Sequence, residues 1–200
     1  YGYTLNGTTG ADIILGGKVA DMILRGGDGN DTIFAGFSRD IHGEGGNDTL
    51  YGAGSIWGEA GSDTIYLTRN AIVATAAWAS GGDGDDVIYG SNIESTFSNS
   101  DSISGDDGND IFYAQYAQIA GGADVDTFHG SGWMYGGTGD DVFNLMASNI
   151  VGGSVVYGEE GNDSIYGTDG IDNLSGDEGD DLIYAYGGDD TILGGYGSDI

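Results

Sequence analysis

The chain has 200 residues, including 42 glycines and no proline or cysteine, and it carries 33 acidic but only 4 basic side chains. The formal charge of −29 excludes nucleic acid as a partner and disfavours anionic membranes and polysaccharides, because so few cations cannot offset so many carboxylates. Since 38% of the residues are hydrophobic, the chain can bury a core if a cationic partner removes the repulsion among its acids.

One nine-residue pattern recurs in chain order, beginning with GTTGADIIL (Gly7–Leu15) and GGDGNDTIF (Gly26–Phe34). Eleven copies align on a shared aspartate, and their starting positions are 15 to 24 residues apart, about 18.7 on average. The copies begin at Gly7, Gly26, Gly43, Gly58, Gly81, Gly105, Gly121, Gly136, Gly158, Gly176 and Gly194. Because a glycine-rich acidic turn precedes strand-forming residues each time, the pattern predicts a turn followed by a short strand.

The pattern G-G-x-G-x-D-x-U-x, in which U is a large apolar residue, resembles the RTX or hemolysin-type calcium-binding repeat over essentially the whole chain. The resemblance implies an all-β fold, a right-handed parallel β-roll in which a six-residue turn binds calcium and a three-residue strand follows. Two nonapeptides make one coil, so the average spacing places all eleven copies on one edge of about ten coils. We expect residues 1–200 to form a single roll of this kind without clear capping segments.

The stretches between the regular copies form the opposite edge of the predicted roll. Two of them keep the pattern, namely GTDGIDNLS (Gly167–Ser175) and the looser AYGGDDTIL (Ala185–Leu193). Others are decayed versions, and several have lost the pattern altogether and differ in length. We therefore expect a regular calcium-loop edge opposite an irregular one.

Two apolar columns support this register. The eighth position of the regular copies reads Ile14, Ile33, Leu50, Ile65, Ile88, Phe112, Phe128, Phe143, Ile165 and Ile183. On the other strand, two residues before each following copy, the column reads Ile41, Ile56, Ala79, Ile103, Ile119, Met134, Val156, Leu174 and Ile192. Because side chains alternate between the faces of a strand, the two columns are predicted to face each other as a thin core.

The aspartate of the pattern points to a hard cation. Coils of a parallel sheet stack about 4.8 Å apart, so neighbouring carboxylates in a column would repel by about 0.9 kcal/mol even in bulk water. Calcium offsets this repulsion, because it takes about six to eight oxygen ligands from carboxylates and backbone carbonyls. Glycine supplies the backbone angles that aim carbonyls at one point, and without cysteine a soft metal has no site.

The resemblance assigns calcium ligands residue by residue. The expected carboxylates on the regular edge are Asp12, Asp31, Asp48, Asp63, Asp86, Asp110, Asp126, Asp141, Asp163, Asp181 and Asp199. On the opposite edge they are Asp172 and Asp190, with Asp21 and Asp40 in decayed copies. Acids replace the second glycine in five copies and are either further ligands or solvent-facing charges. Asp124 replaces the glycine at position 4, so that copy is expected to form a distorted site.

Catalytic motifs and membrane-spanning segments are not found in the sequence. It contains neither H-E-x-x-H nor G-x-S-x-G, and its two histidines have no nucleophile at a meaningful spacing, so we expect no enzyme activity. No apolar run approaches the roughly 18 residues that span a bilayer, so no membrane insertion is expected.

Tyrosines recur at position 9 and form an outer face, which is either a self-supporting ladder or a contact surface.

The expected function is structural. We interpret the chain as a secreted, extracellular or cell-surface module that folds on binding several calcium ions and contributes to a filament, matrix or surface layer. Self-association would proceed end to end or through the tyrosine-bearing face. The alternative is a calcium-binding, secretion-assisting repeat segment of a larger RTX toxin, adhesin or exoenzyme.

Overall fold

Short parallel strands, each stacked on strands one coil away, make up the fold. The computed structural model describes residues 3–17, 22–36, 40–68, 76–91, 100–145 and 153–200. The strands are β1 (Tyr3–Asn6), β2 (Ile13–Leu15), β3 (Met22–Asp28), β4 (Thr32–Phe34), β5 (Asp40–Gly45), β6 (Thr49–Gly52), β7 (Ser55–Ala60), β8 (Thr64–Leu67), β9 (Trp78–Asp83), β10 (Val87–Tyr89), β11 (Ser102–Asp107), β12 (Ile111–Ala123), β13 (Thr127–Thr138), β14 (Val142–Asn144), β15 (Val155–Glu160), β16 (Ser164–Tyr166), β17 (Asn173–Glu178), β18 (Leu182–Tyr184) and β19 (Thr191–Tyr196).

The strands form two faces of one solenoid. The first sheet stacks the three- and four-residue strands β2, β4, β6, β8, β10, β14, β16 and β18. The second sheet stacks β1, β3, β5, β7, β9, β11, β15, β17 and β19. The long strands β12 and β13 bend from the first sheet into the second, so each contributes to both. Every pairing is parallel, which confirms the all-β parallel roll predicted from the repeats.

The register of the first sheet follows the repeat. Ile33 pairs with Ile14 on one side and with Leu50 on the other, and the outer residues beside it align in the same way. The alignment survives coils of unequal length, because Ile88 still pairs with Ile65 and Phe112 with Ile88. The extra residues of the longer coils are therefore accommodated away from this sheet.

The core lies between the sheets and consists of the two predicted columns. The first column is buried from Ile14 to Ile165, and three of its members, Phe112, Phe128 and Phe143, stack with ring centroids 4.9 and 4.4 Å apart. The second column is buried from Ile41 to Leu174 and also includes Leu24, which the sequence reading omitted. The described residues include no helix long and apolar enough to cross a bilayer.

The last coil departs from this burial. Ile192 continues the second column beside Leu174 but is 54% exposed, and Ile183 is only partly buried. The cause is positional, since among the described residues no strand lies on the outer side of β19 and only the segment ending at Ile200 lies beside β18. Leu5, beside Leu24 at the other end of the second column, is likewise 42% exposed, whereas Ile14 stays buried with a strand on one side only.

Replacing Phe128 by alanine should lower the free energy of unfolding by about 3–5 kcal/mol, because the ring is fully buried between two others. Phe34→Ala is the matched control, since Phe34 is 42% exposed and its loss should cost about 1 kcal/mol. Urea denaturation in millimolar calcium measures both variants. Equal losses would contradict the assigned register.

Candidate metal-binding edge

The predicted metal ligands lie in the turns that lead from the second sheet into the first. In the second copy, β3 runs through Gly26 and Gly27 to Asp28, and the turn ends at Asp31, directly before β4. The regular copies from Gly26 to Gly176 repeat this arrangement. Because the short strands are in register, the aspartates before them stack one above another at the same edge.

A continuous series of hydrogen bonds joins these residues into what we call the aspartate file, the position-6 aspartates from Asp12 to Asp199. The backbone N–H of each member donates to Oδ1 of the member in the next coil. The donor and acceptor pairs are Asp12 and Asp31, Asp31 and Asp48, Asp48 and Asp63, Asp63 and Asp86, Asp86 and Asp110, Asp110 and Asp126, Asp126 and Asp141, Asp141 and Asp163, Asp163 and Asp181, and Asp181 and Asp199. All eleven regular-edge candidates are thus brought into one file.

The other carboxylate oxygen has no donor through most of the file. Among the described residues, Oδ2 is buried without a hydrogen-bond partner in Asp31, Asp48, Asp63, Asp86, Asp110, Asp126, Asp141, Asp163 and Asp181. These side chains are at most 1% exposed. A buried polar atom without a partner costs about 1–3 kcal/mol, and more when it is charged. A row of bound cations along the file would satisfy these oxygens.

The first glycine of each copy keeps the space before Oδ2 open. A methyl group added at Gly26 would overlap Asp31 Oδ2 and lie 2.5 Å from the carbonyl oxygen of Gly43 in the next coil. The same crowding recurs at Gly43, Gly58, Gly81, Gly105, Gly121, Gly136, Gly158 and Gly176. A carboxylate oxygen and a backbone carbonyl oxygen therefore face one space, and such hard oxygens are the donors that calcium takes.

Backbone carbonyls are needed to complete such a site. In the part of the chain that the structure describes, no three His, Cys, Asp or Glu side chains come together around one point. The turns also require left-handed backbone angles, with φ of 104° at Gly27 and 117° at Gly29, which glycine adopts without strain. The residues present thus fit calcium, which accepts mixed carboxylate and carbonyl ligands.

Acids at position 2 adopt the same left-handed angles but do not join the file. The residues are Glu44, Glu59, Asp106, Glu159 and Asp177, with φ between 71° and 78°. On the outer face of the second sheet, Glu44 forms an ion pair with Arg25 at 2.7 Å, and Glu59 Oε1 lies 2.7 Å from His42 Nδ1. These contacts favour the solvent-facing role over direct ligation. Asp124 has φ of 74° at position 4, yet Asp126 in the same copy keeps a buried Oδ2 without a donor.

Burial raises the pKa of nine aspartates of the file, from Asp31 to Asp181. Desolvation is the largest cause; the N–H donor of the neighbouring coil opposes it, and nearby carboxylates add to it. The pKa rises to about 6 for Asp48 and Asp141, about 7 for Asp86, Asp110 and Asp163, and about 8 for Asp63 and Asp126, and it is also raised for Asp31 and Asp181. Without a cation, Asp63 and Asp126 would be mostly protonated at neutral pH.

The opposite edge brings together fewer of the predicted ligands. Asp172 is 1% exposed, and its N–H donates to Asp190 Oδ1 at 2.9 Å. Asp40 lies within β5 and not in a turn, and Asp21 falls outside the described residues.

Asp101 is a buried carboxylate of this edge that the sequence reading missed. It is 3% exposed, and its Oδ1 and Oδ2 accept from the N–H groups of Ala77 and Ser91 at 3.2 and 3.0 Å. Its copy has lost the glycines of the pattern. The signal that remains is its position directly before β11, which matches that of Asp172 before β17.

Comparison with known families agrees with this geometry. A family model described as RTX calcium-binding nonapeptide repeat (4 copies) matches residues 4–21, 25–54, 55–69, 77–92, 97–115, 133–149, 151–174 and 166–200. No curated protein matches the chain. The matched ranges leave out residues 116–132, although Asp126 in that stretch stands in the file like its neighbours.

Gly105→Ala should remove one bound calcium ion and destabilise the calcium-loaded chain by about 1–3 kcal/mol, because its methyl group would occupy the space beside Asp110 Oδ2. Gly45→Ala is the control, since Gly45 lies in the loop of Asp48 and a methyl group there meets only Asp28 Oδ1, at 3.6 Å. Native mass spectrometry gives the ion count and urea denaturation gives the stability. The site assignment would be wrong if both variants kept the parental count.

The raised pKa values also predict a pH dependence for the metal-free chain. The folded file binds protons more tightly than unfolded aspartates, whose pKa is about 4, so protonation stabilises the folded state. This stabilisation is complete below about pH 4 and is lost as pH rises through the folded pKa values, about 6 for Asp48 to about 8 for Asp63. Far-UV circular dichroism in metal-depleted buffer should show more β structure at pH 5 than at pH 8. Greater β content at pH 8 would contradict the assignment.

Proposed function

Since the chain belongs to the family of RTX calcium-binding nonapeptide repeat proteins, we propose that it is a secreted structural module that contributes to an extracellular filament, matrix or surface layer. Repeats of this family bind several calcium ions, and their rolls are generally non-catalytic structural modules. The observation that carries the proposal is the file of buried Oδ2 atoms without donors. A molecule built in this way depends on a cation for its fold.

Calcium concentration then decides where the module folds. A chain with a net charge of −29 and a buried row of carboxylates repels itself until the ions bind. Extracellular calcium modules bind at about 10⁻⁴ to 10⁻³ M, well above cytosolic concentrations. The chain would therefore stay unfolded inside the cell and fold after secretion, which supports an extracellular or cell-surface location.

The two end coils support assembly by stacking. Leu5 and Ile13 on the first coil are 42% and 77% exposed, and Ile192 and Ile200 on the last coil are 54% and 84% exposed. The outer edges of β1 and β19 have no strand partner among the described residues. Unpaired strand edges accept further strands, and a head-to-tail contact that does not close generates a filament. We propose that a second copy of the chain stacks on these edges.

The same feature supports the alternative, a calcium-binding, secretion-assisting segment of a larger RTX toxin, adhesin or exoenzyme. Ile192 is in register with Leu174, so the second apolar column runs on into the last coil. The N–H of Ile183 donates to the carbonyl of Ile200 at 2.8 Å, so the backbone pairing of the first sheet also continues there. Further coils of a longer chain would bury these residues as well as a second copy would. The two functions differ in whether the isolated chain polymerises.

The tyrosine-bearing face is a second candidate for self-association. Phe34, Tyr51, Tyr66, Tyr89 and Tyr113 stack in register on the first sheet with ring centroids 4.6–5.1 Å apart. The flat faces of these rings pack against the rings of the neighbouring coils, so the rings stabilise the stack of coils. A lateral partner would meet ring edges and hydroxyl groups.

Light scattering and negative-stain microscopy on the chain, first in chelator and then in millimolar calcium, test the proposal. We expect an unfolded monomer without calcium and fibres about one roll wide with it. Ile192→Asp should fold in calcium but stay monomeric, because it places a charge on the stacking surface. Val125→Asp is the control, since Val125 is similarly exposed, at 44%, but lies in a mid-roll turn.

The outcomes separate the functions. A folded calcium-bound monomer would overturn end-to-end assembly and support the segment of a larger protein. Folding that is complete in chelator would overturn the calcium-dependent module itself. Fibres that persist unchanged in Ile192→Asp would exclude the end coils and direct attention to the tyrosine-bearing face.

A further inference from the structure

Two of the candidate calcium loops carry threonine at the second position. Most of the other loops have glycine or an acid there. Thr8 belongs to the copy that starts at Gly7, and Thr168 to the one that starts at Gly167. Thr168 donates to Asp172 Oδ2 from its backbone N–H at 2.7 Å and from Oγ1 at 3.0 Å. Thr8 donates to Asp12 Oδ2 in the same way, at 2.6 and 2.8 Å. In both loops, the oxygen that is unpartnered elsewhere has two donors.

The backbone of these loops differs as well. Glycines at positions 2 and 4 of the copy at Gly26 are left-handed, whereas Thr8, Gly10, Thr168 and Gly170 all have φ outside that region. The N–H groups of Gly10 and Gly170 turn inward and donate to the threonine hydroxyls, at 3.4 and 2.9 Å. Each hydroxyl thus donates to the carboxylate and accepts from the backbone, which closes the loop on itself.

A comparison of Asp163 with Asp172 isolates this difference. Both are 1% exposed, and both accept a backbone N–H on Oδ1, from Asp141 at 2.8 Å and from Ser154 at 2.7 Å. Only Asp172 has donors on Oδ2. A methyl group at Gly158 would overlap Asp163 Oδ2, whereas one at Gly167 would lie 2.9 Å from Asp172 Oδ2, because the carboxylate is directed toward the threonine.

We propose that threonine at the second position takes the place of a calcium ion, so that the loops holding Asp12 and Asp172 fold without metal. Hydrogen bonds to an ionised carboxylate satisfy its charge and hold its orientation. A cation could reach Oδ2 only by breaking both of them and turning two residues into the left-handed region. The residue at the second position therefore determines whether a repeat binds a calcium ion, and threonine there prevents binding.

The test is the number of calcium ions bound by the full chain, counted by native mass spectrometry at saturating calcium. Thr168→Gly should bind one ion more than the parent. Asp172 Oδ2 loses its hydroxyl donor, and glycine can enter the left-handed region, which turns the remaining N–H of residue 168 away. Oδ2 then faces the Ala185 carbonyl oxygen, as Asp163 Oδ2 faces that of Gly176. Thr168→Ser keeps the hydroxyl and should keep the parental count. Thr138→Gly makes the same change at an exposed third position and should also leave the count unchanged.

An unchanged or lower count in Thr168→Gly would overturn the proposal, and a lower count would make the hydroxyl a calcium ligand. Circular dichroism in calcium establishes that each variant is folded. If Thr168→Gly does not fold, Thr8→Gly decides the matter, because Thr8 lies in an exposed loop of the first coil, whereas Thr168 is buried. This variant should also gain one ion, and failure to do so would overturn the proposal.

Discussion

The rest of the molecule depends on one arrangement: a file of buried carboxylates in which one oxygen is hydrogen-bonded between coils and the other has no protein donor. The bonded oxygen fixes each aspartate in position, so the uncompensated charge cannot turn away into solvent. The glycine in front of it must lack a side chain, and the glycines beside it must be left-handed. The composition of the chain, rich in glycine and acid, is the consequence of meeting these conditions in coil after coil from Asp31 to Asp181.

The apolar core is too thin to override this constraint. Most strands contribute a single large apolar side chain to the space between the sheets, such as Ile33 on β4 or Ile41 on β5. Contacts between neighbouring coils also form outside the core. They include the stacked tyrosines and the ion pair of Arg25 with Glu44, and they too require the coils to be stacked in register. Protons or cations at the file therefore decide between the folded and unfolded chain, because every other contact requires the coils to be stacked already.

Much of this could be predicted from sequence, because one residue of the repeat corresponds to one position on the roll. The nonapeptide alone placed the aspartate file and both apolar columns in register. Asp101 was missed because its copy has lost the glycines, and the exposure of Ile192 because burial depends on which coils lie alongside. The difference between Asp163 and Asp172 was hidden too, since their copies match the same pattern and differ in backbone angle and hydrogen bonding, which only three-dimensional contacts reveal.

The unequal coils have an evolutionary consequence. The bond from Asp48 to Asp63 joins residues 15 apart and the bond from Asp63 to Asp86 joins residues 23 apart, yet their lengths are 2.7 and 2.6 Å. Insertions at the irregular edge thus leave the spacing of the aspartates unchanged. Such a protein can gain, lose or diversify loops on one side while selection preserves the other, so new surfaces can arise at a fixed pitch without the scaffold being rebuilt.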